Sequence, residues 1–298
     1  MMEALIVCGP TACGKTDFAH NLATKYQGEI INADSMQIYS QIPILTAQPS
    51  EKLQNELPYH LYGFVDVGEE FSVVKYARLA SKIIKEIANR NKLPIIVGGS
   101  GMYINALVEG YNEIPSISAK IRRESRDLYI KVGPEDFFNH LKSLDPAAVR
   151  LNNNDQQRML RAYEVFVQTG QSIFSFRNHN KTKLLSEFNF KSYFLYPERN
   201  FLYASCDQRL RKIFASGAIT EVQNLYNMPI GSAKKALGFR EIADYLDNKI
   251  TLDEAINNAQ NKTRRYAKRQ ITWFKNQLKE KIIFKYSNLE EFYALNVN

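Results

Sequence analysis

The sequence predicts an α/β fold, a parallel sheet flanked by helices with an all-helical insertion, and three observations predict it. Short continuous apolar runs at residues 4–8, 28–33 and 93–98 alternate with helical segments, the pattern of a buried parallel sheet with crossover helices. From 115 to about 190 only helical patterns occur, and "KSYFLYP" (191–197) then reads as a strand returning to the sheet.

"ALIVCGP" is a buried strand, and residues 15–26 follow it with apolar residues at Phe18, Ala19, Leu22 and Ala23, a helix. "GEIINADS" repeats the strand pattern and delivers Asp34 at a strand's C-terminal end, where open α/β sheets place ligands. Ser72 caps a helix reaching about Arg90, with Ala77, Ala80, Ile83, Ile84 and Ile87 as its buried stripe. "KLPIIVGGSGMY" is a further strand running into a glycine-rich turn. In the insertion, Gly133-Pro134 ends one helix and starts the next, Asp145-Pro146 opens another, and Thr169-Gly170 closes the helix that begins near Asp155. After the returning strand, helices are punctuated at Gly217, Gly231 and Gly238. Thr251 and Glu254 make a capping box for a helix of about 28 residues, about 42 Å long. The domains are therefore expected at 1–114 with 191–298, and at 115–190.

Composition excludes several function classes. Over 298 residues, 45% hydrophobic and 23% charged is an ordinary globular balance, and the formal charge of +8 favours polyanionic partners. The three cysteines, Cys8, Cys13 and Cys206, form no C-x-x-C pair, which argues against a disulfide framework and a zinc site. No apolar run approaches the roughly 20 residues of a membrane span, and the N-terminus lacks a signal pattern, so a cytoplasmic protein without membrane contact is expected.

The loop Gly9-Pro10-Thr11-Ala12-Cys13-Gly14-Lys15-Thr16 satisfies G-x-x-x-x-G-K-[ST] between a strand and a helix. Backbone N–H groups there cradle phosphate oxygens, the helix dipole adds to them, Lys15 neutralises charge, and the Thr16 hydroxyl suits Mg²⁺. Nucleotide binding, ATP above all, is one use of such a P-loop. Asp34 reads as a metal-holding carboxylate, a general base or an Asx-type cap of "DSMQIY". Gln37 and Tyr39 suit base recognition or packing. "GGSG" (98–101) gives a second close backbone approach with the Ser100 hydroxyl, or a plain tight turn. In "NDQQRMLRAYEVF", Gln157, Arg158 and Arg161 share one helical side and suit phosphates or base edges, or solvent; Arg122 and Arg123 read the same way. "KTRRYAKRQITWFK" interleaves basic residues with Tyr266, Trp273 and Phe274, aromatics inward and some cations outward to an anion. His20, His60, His140 and His179 form no ligand spacing.

"GPTACGKT", "DSMQIY", "LTAQP", "PIIVGGSGMY", "NDQQRMLR", "ALGFRE" and "RRYAKRQITWF" stand in the order seen in the bacterial tRNA dimethylallyltransferases. The sequence resembles that family, also called tRNA isopentenyltransferases or IPP transferases, over about residues 4 to 280. The resemblance implies transfer of dimethylallyl from dimethylallyl diphosphate to N6 of adenosine 37, beside the anticodon of tRNAs reading codons that begin with U. It implies that the P-loop, Lys15, Thr16 and Mg²⁺ hold the diphosphate and that Asp34 is the base. Ser100 and Arg209 join the catalytic set, Arg209 near the diphosphate. Contacts to the anticodon stem-loop fall to Asp34, Ser35, Met36, Gln37, Ser100, Arg122 and the segment Gln157, Arg158, Met159, Leu160, Arg161. A monomer is expected. The chain departs from the family pattern at Cys13 (usually serine), Ser40 (a basic residue), Leu45 (glycine), Gln48 (lysine) and Ser205 (arginine). The competing readings are a P-loop small-molecule or nucleoside kinase, which should carry an arginine-rich lid near the sheet, and a non-catalytic RNA-binding protein, which has no need of Lys15, Thr16 and Asp34 together.

Overall fold

The computed structural model describes residues 1–178 and 181–295, in two compact units: Met1–Val108 with Leu184–Asn298, and Glu109–Lys183. His179 lies outside the described residues. In chain order the elements are β1 (Met2–Cys8), α1 (Lys15–Tyr26), β2 (Gly28–Asn32), α2 (Pro43–Thr46), α3 (Glu51–Glu56), β3 (Tyr59–His60), α4 (Val73–Asn89), β4 (Leu93–Gly98) and α5 (Gly101–Val108). The second unit carries α6 (Ala119–Leu144) and α7 (Gln156–Thr169). The chain then returns with β5 (Phe188–Pro197), α8 (Arg199–Ile213), α9 (Ile219–Asn224), α10 (Phe239–Leu246), α11 (Leu252–Gln277), β6 (Ile282–Tyr286) and α12 (Leu289–Leu295).

All strand pairs are parallel, in the order β3-β2-β4-β1-β5-β6. Residues 4–8 of β1 are buried on both faces, which is why the segment reads as an unbroken apolar run rather than an alternating one. On one face Ile6, Ile96 and Phe194 meet Tyr76, Ala80, Ile84 and Ile87 of α4 with Tyr103 and Ile104 of α5. Full burial of a side chain such as Ile84 or Ile87 stabilises by about 1.5–3 kcal/mol. On the other face Val7, Ile95 and Leu195 meet Phe18 and Ala19 of α1, Leu202 and Cys206 of α8, and Phe292 of α12.

The expected caps are present. Ser72 accepts from the Lys75 N–H, and Thr251 and Glu254 form the reciprocal box at α11, which is 26 residues long. The two edge strands β3 and β6 had no sequence signal, and β5 starts at Phe188 rather than Lys191. Gly217 does punctuate the helices: at φ 113 it is the non-helical residue of the kink that links α8 to α9. No described helix is long and apolar enough to cross a membrane.

The second unit buries Phe137 and Leu141 of α6 against Met159, Ala162 and Val165 of α7. Gly133 (φ 80) breaks α6 before Pro134, Asp145 accepts from the Ala147 N–H, and Gly170 in a left-handed conformation closes α7. The unit begins at Glu109 rather than 115 and ends at Lys183 rather than 190, because the segments that enter and leave it close on each other at one isolated bridge: Tyr111 and Thr182 exchange backbone hydrogen bonds of 3.2 and 2.9 Å.

Candidate active site

The loop after β1 has the local chemistry that its glycines require. Ala12 and Gly14 have φ of +60 and +80 while Cys13 between them does not, the alternation that turns successive N–H groups toward one point. Gly14 caps α1 without any side-chain hydrogen bond, so the helix's first N–H groups are left for an anion. Lys15 folds back, its ammonium donating to the Pro10 carbonyl and lying 3.8 Å from the Cys13 sulfur. Cys13 itself is buried in the core, and the Tyr286 hydroxyl donates to its carbonyl at 2.5 Å. Serine-to-cysteine at this position therefore places sulfur under the loop, where apolar neighbours suit it.

A cavity of about 340 Å³ opens on the loop. Thr11 to Asp17 form one side, with Asp34, Gln37, Tyr62, Gly98 and Arg209 also lining it. Asp34 makes the Asx turn that "DSMQIY" allows, Oδ1 accepting from the Met36 N–H at 2.9 Å. That turn does not exhaust the carboxylate. Oδ2 has no hydrogen-bond partner among the described residues, so Asp34 keeps an oxygen able to accept a proton. Asn32 holds its backbone, Oδ1 accepting from the Asp34 N–H at 2.7 Å.

Ser100 donates to the Ser35 hydroxyl at 3.1 Å and accepts from the Ser35 N–H at 2.8 Å, while its own N–H donates to the Ala33 carbonyl at 3.0 Å. The GGSG turn thus holds both neighbours of Asp34. Gln37 donates to the carbonyls of Thr46 and Ala47 at 3.0 and 2.7 Å, which leaves its oxygen as the free acceptor. Met36 packs against the core that contains Leu45, which is itself buried where the family has glycine. Gln48 donates to the Tyr39 carbonyl and Ser205 to the Phe201 carbonyl, so both departures from the family pattern serve as backbone ties. Arg209 donates to Thr11 Oγ1 at 3.3 Å and to the Thr46 carbonyl at 3.4 Å. Burial lowers its pKa and the nearby Asp34 charge opposes that, so the guanidinium stays charged.

In the second unit Gln157 and Arg158 are exposed, Arg158 reaching Asp155 at 3.3 Å. Arg161 is half-buried, 3.9 Å from Glu164; burial and the neighbouring Arg122 lower its pKa. Arg122 and Arg161 are thus close enough for their charges to interact. Met159, expected among the tRNA contacts, is a correction: it is 0% exposed at the centre of the unit's core, because it falls on the inward stripe of α7, while Leu160 is partly buried against that core. Three of the histidines have structural partners: His20 with Tyr59 and Glu56, His60 with Glu29, and His140 against the Tyr163 ring.

Among the described residues no cluster of three or more His, Cys, Asp or Glu could cage a metal. The Thr16 hydroxyl and the Asp17 and Asp34 carboxylates line one cavity, an oxygen set that fits Mg²⁺ when most of the ion's ligands come from phosphate and water. The residue that sequence reasoning missed is Gln270 of α11. It is 5% exposed and joins the P-loop to the GGSG turn. Its signal was available: Thr263, Ala267, Gln270 and Phe274 form the buried stripe of α11, and an amide on such a stripe needs partners.

A phosphate cradle and a carboxylate lining one cavity of a parallel-sheet fold define the class: a P-loop-like enzyme. The IPP transferase family model matches residues 37–277. The tRNA dimethylallyltransferase of Rickettsia canadensis (strain McKiel) is 54% identical over 293 residues, covering 97% of this chain and 90% of that protein. That of Rickettsia conorii is 53% identical, covering 97% and 80%. The crystal structure of the full-length tRNA isopentenylpyrophosphate transferase from Bacillus halodurans is similar at a TM-score of 0.70 and 32% identity, covering 100% and 95% of the two chains. A eukaryotic dimethylallyltransferase acting on tRNA is similar at a TM-score of 0.81 and 27% identity, covering 98% and 76%. The chain belongs to the IPP transferase family.

Proposed function

We propose that this enzyme transfers a dimethylallyl group from dimethylallyl diphosphate to N6 of adenosine 37 in tRNAs reading codons that begin with U, releasing diphosphate. The observation that carries the reading is the single cavity that holds both the P-loop and Asp34. The names of the relatives point to tRNA and a dimethylallyl group, and the residues present suit the chemistry. The C1–O bond of the donor breaks and its electron pair leaves with the diphosphate, while the N6 lone pair forms the new bond to C1. The N6 proton passes to Asp34 Oδ2. N–H groups of the loop and α1, with Lys15 and Arg209, stabilise the charge that develops on the leaving group. Mg²⁺, held by Thr16 and the diphosphate oxygens, would neutralise part of that charge when bound. An exocyclic amine is a weak nucleophile, so orientation beside the donor supplies much of the rate.

The target adenine must be flipped from the anticodon loop to reach the cavity. Arg122, Arg158 and Arg161 of the second unit suit the anticodon-stem backbone, with Gln157 beside them. A monomer acting in the cytoplasm completes the proposal.

Labelled dimethylallyl diphosphate, Mg²⁺ and an unmodified stem-loop containing A36-A37 test it. Label should pass to the RNA, and Asp34→Asn should slow transfer while stem-loop affinity stays near wild type. No transfer from a preparation that phosphorylates a nucleoside with ATP would establish a kinase instead. Loss of binding without loss of chemistry would remove Asp34 from the role of base.

A further inference from the structure

Gln270 bridges the P-loop and the GGSG turn and touches backbone on both sides. Its Oε1 accepts from the Thr11 N–H at 2.8 Å, and its Nε2 donates to the Gly99 carbonyl at 2.9 Å. The amide is buried, and the approach is close enough to require glycine at 99: a Cβ there would lie 2.1 Å from Nε2. Neighbouring Trp273 fixes the same turn, its ring lying where a Cβ on Gly101 would be, at 2.3 Å. The contacts continue from Gly99 without a break. Ser100 holds Ala33 through its N–H and Ser35 through its hydroxyl, and Asp34 lies between those two residues.

Thr11 contributes no P-loop N–H to a phosphate while Gln270 occupies its donor. The amide therefore leaves the cradle's remaining N–H groups alone and ties only the loop's outer turn. We propose that Gln270 is a positioning residue, which sets the separation between the diphosphate cradle and the Asp34 loop so that C1 of the donor and the attacking nitrogen meet in line. The role rests on the prenyl-transfer reading above. One acceptor and one donor on a single planar group match one N–H and one C=O. A carboxylate in its place would turn an oxygen's charge onto the Gly99 carbonyl, whereas a protonated carboxyl would restore both bonds.

The test uses Gln270→Glu and Gln270→Ala, each checked for a cooperative thermal transition. At pH 8, kcat for transfer should fall about 10²-fold in both, the cost of a misplacement near 1 Å. Inorganic pyrophosphate and the stem-loop should each bind with near-wild-type Kd. As the pH falls toward the raised pKa of the buried carboxyl, the kcat ratio of Gln270→Glu to wild type should climb, and that of Gln270→Ala should stay flat. A kcat near wild type in Gln270→Ala, a ratio without pH dependence in Gln270→Glu, or a loss of pyrophosphate binding equal to the loss of kcat would overturn the proposal. A wild type that transfers no label sinks the reaction and this role with it; an active wild type with indifferent variants sinks this role alone.

Discussion

Adding one methyl group at Gly98 should disable the enzyme without emptying the phosphate cradle. Gly98 closes β4, and a Cβ built on it meets the carbonyl carbon and oxygen of Ala33 at 2.1 Å and its Cα at 2.7 Å. These are backbone atoms that no side-chain rotation can clear. Ordinary contact begins near 3.4 Å, so the Ala33 peptide must withdraw by about 1.3 Å. The next residue is Asp34, and the bonds from Ala33 N–H to the Val97 carbonyl (2.7 Å) and from Ser100 N–H to the Ala33 carbonyl (3.0 Å) must stretch with it. A displacement of about 1 Å costs about 10²-fold in rate. That is about 2.7 kcal/mol of barrier. Overpacking adds about 1–3 kcal/mol of lost stability. In Gly98→Ala, kcat at saturating donor and stem-loop should therefore fall about 10²-fold, with a Tm lower by a few degrees and calorimetric binding of pyrophosphate little changed. A Gly98→Ala enzyme with wild-type kcat would refute the reasoning, because it would mean that the Asp34 loop tolerates that shift.

Three further outcomes follow from the same geometry. Burial pushes Glu29 upward, but hydrogen bonds from Arg90 (2.9 and 2.8 Å) and His60 (2.8 Å) outweigh it and hold the carboxyl below its ordinary range. Its stabilising contribution is thus complete above about pH 4.3 and lost as the pH falls further; urea midpoints of wild type and Glu29→Gln should converge in acid, and parallel curves would contradict this. Arg158→Ala should weaken stem-loop binding and reduce the slope of log K against log salt by about one unit, while an unchanged slope would remove Arg158 from the phosphate backbone. The Cys206 thiol, pushed up to about 12 by burial, should resist alkylation at neutral pH in the folded protein and react on unfolding; rapid labelling of the native chain would show that α8 opens.

What could be read from the sequence was what local chemistry determines. The apolar run before Gly9, the caps at Ser72 and Asp145, the box at Thr251 and the left-handed stop at Gly170 each state their structure within a few residues. Edge strands do not. Ile282 and Ile283 of β6 are nearly half exposed, and the strand exists through its pairing with β5 rather than through any pattern of its own. The cavity followed the same division. Lys15, Thr16, Asp34 and Arg209 were marked by motif and do line it. Motif membership misled at Met159, where helical periodicity already placed the side chain inward. The reverse held at Gln270, whose role depends on two backbone groups far away in sequence that no local pattern reveals.

Those separations bear on how the protein is made. The P-loop lies at the beginning of the chain, yet its restraints come from the other end: Thr11 bonds to a residue 198 positions later at Arg209 and 259 later at Gln270, and Cys13 to one 273 later at Tyr286. At a synthesis rate of about 5–20 residues per second, roughly 10–50 s pass between emergence of the loop and arrival of Gln270. A nascent chain therefore carries the phosphate motif long before the contacts that restrain it exist, and a ribosome-bound fragment lacking α11 and β6 would hold the motif without them. Arrival of α11 and β6, rather than synthesis of the motif itself, is the step that completes the loop's restraints.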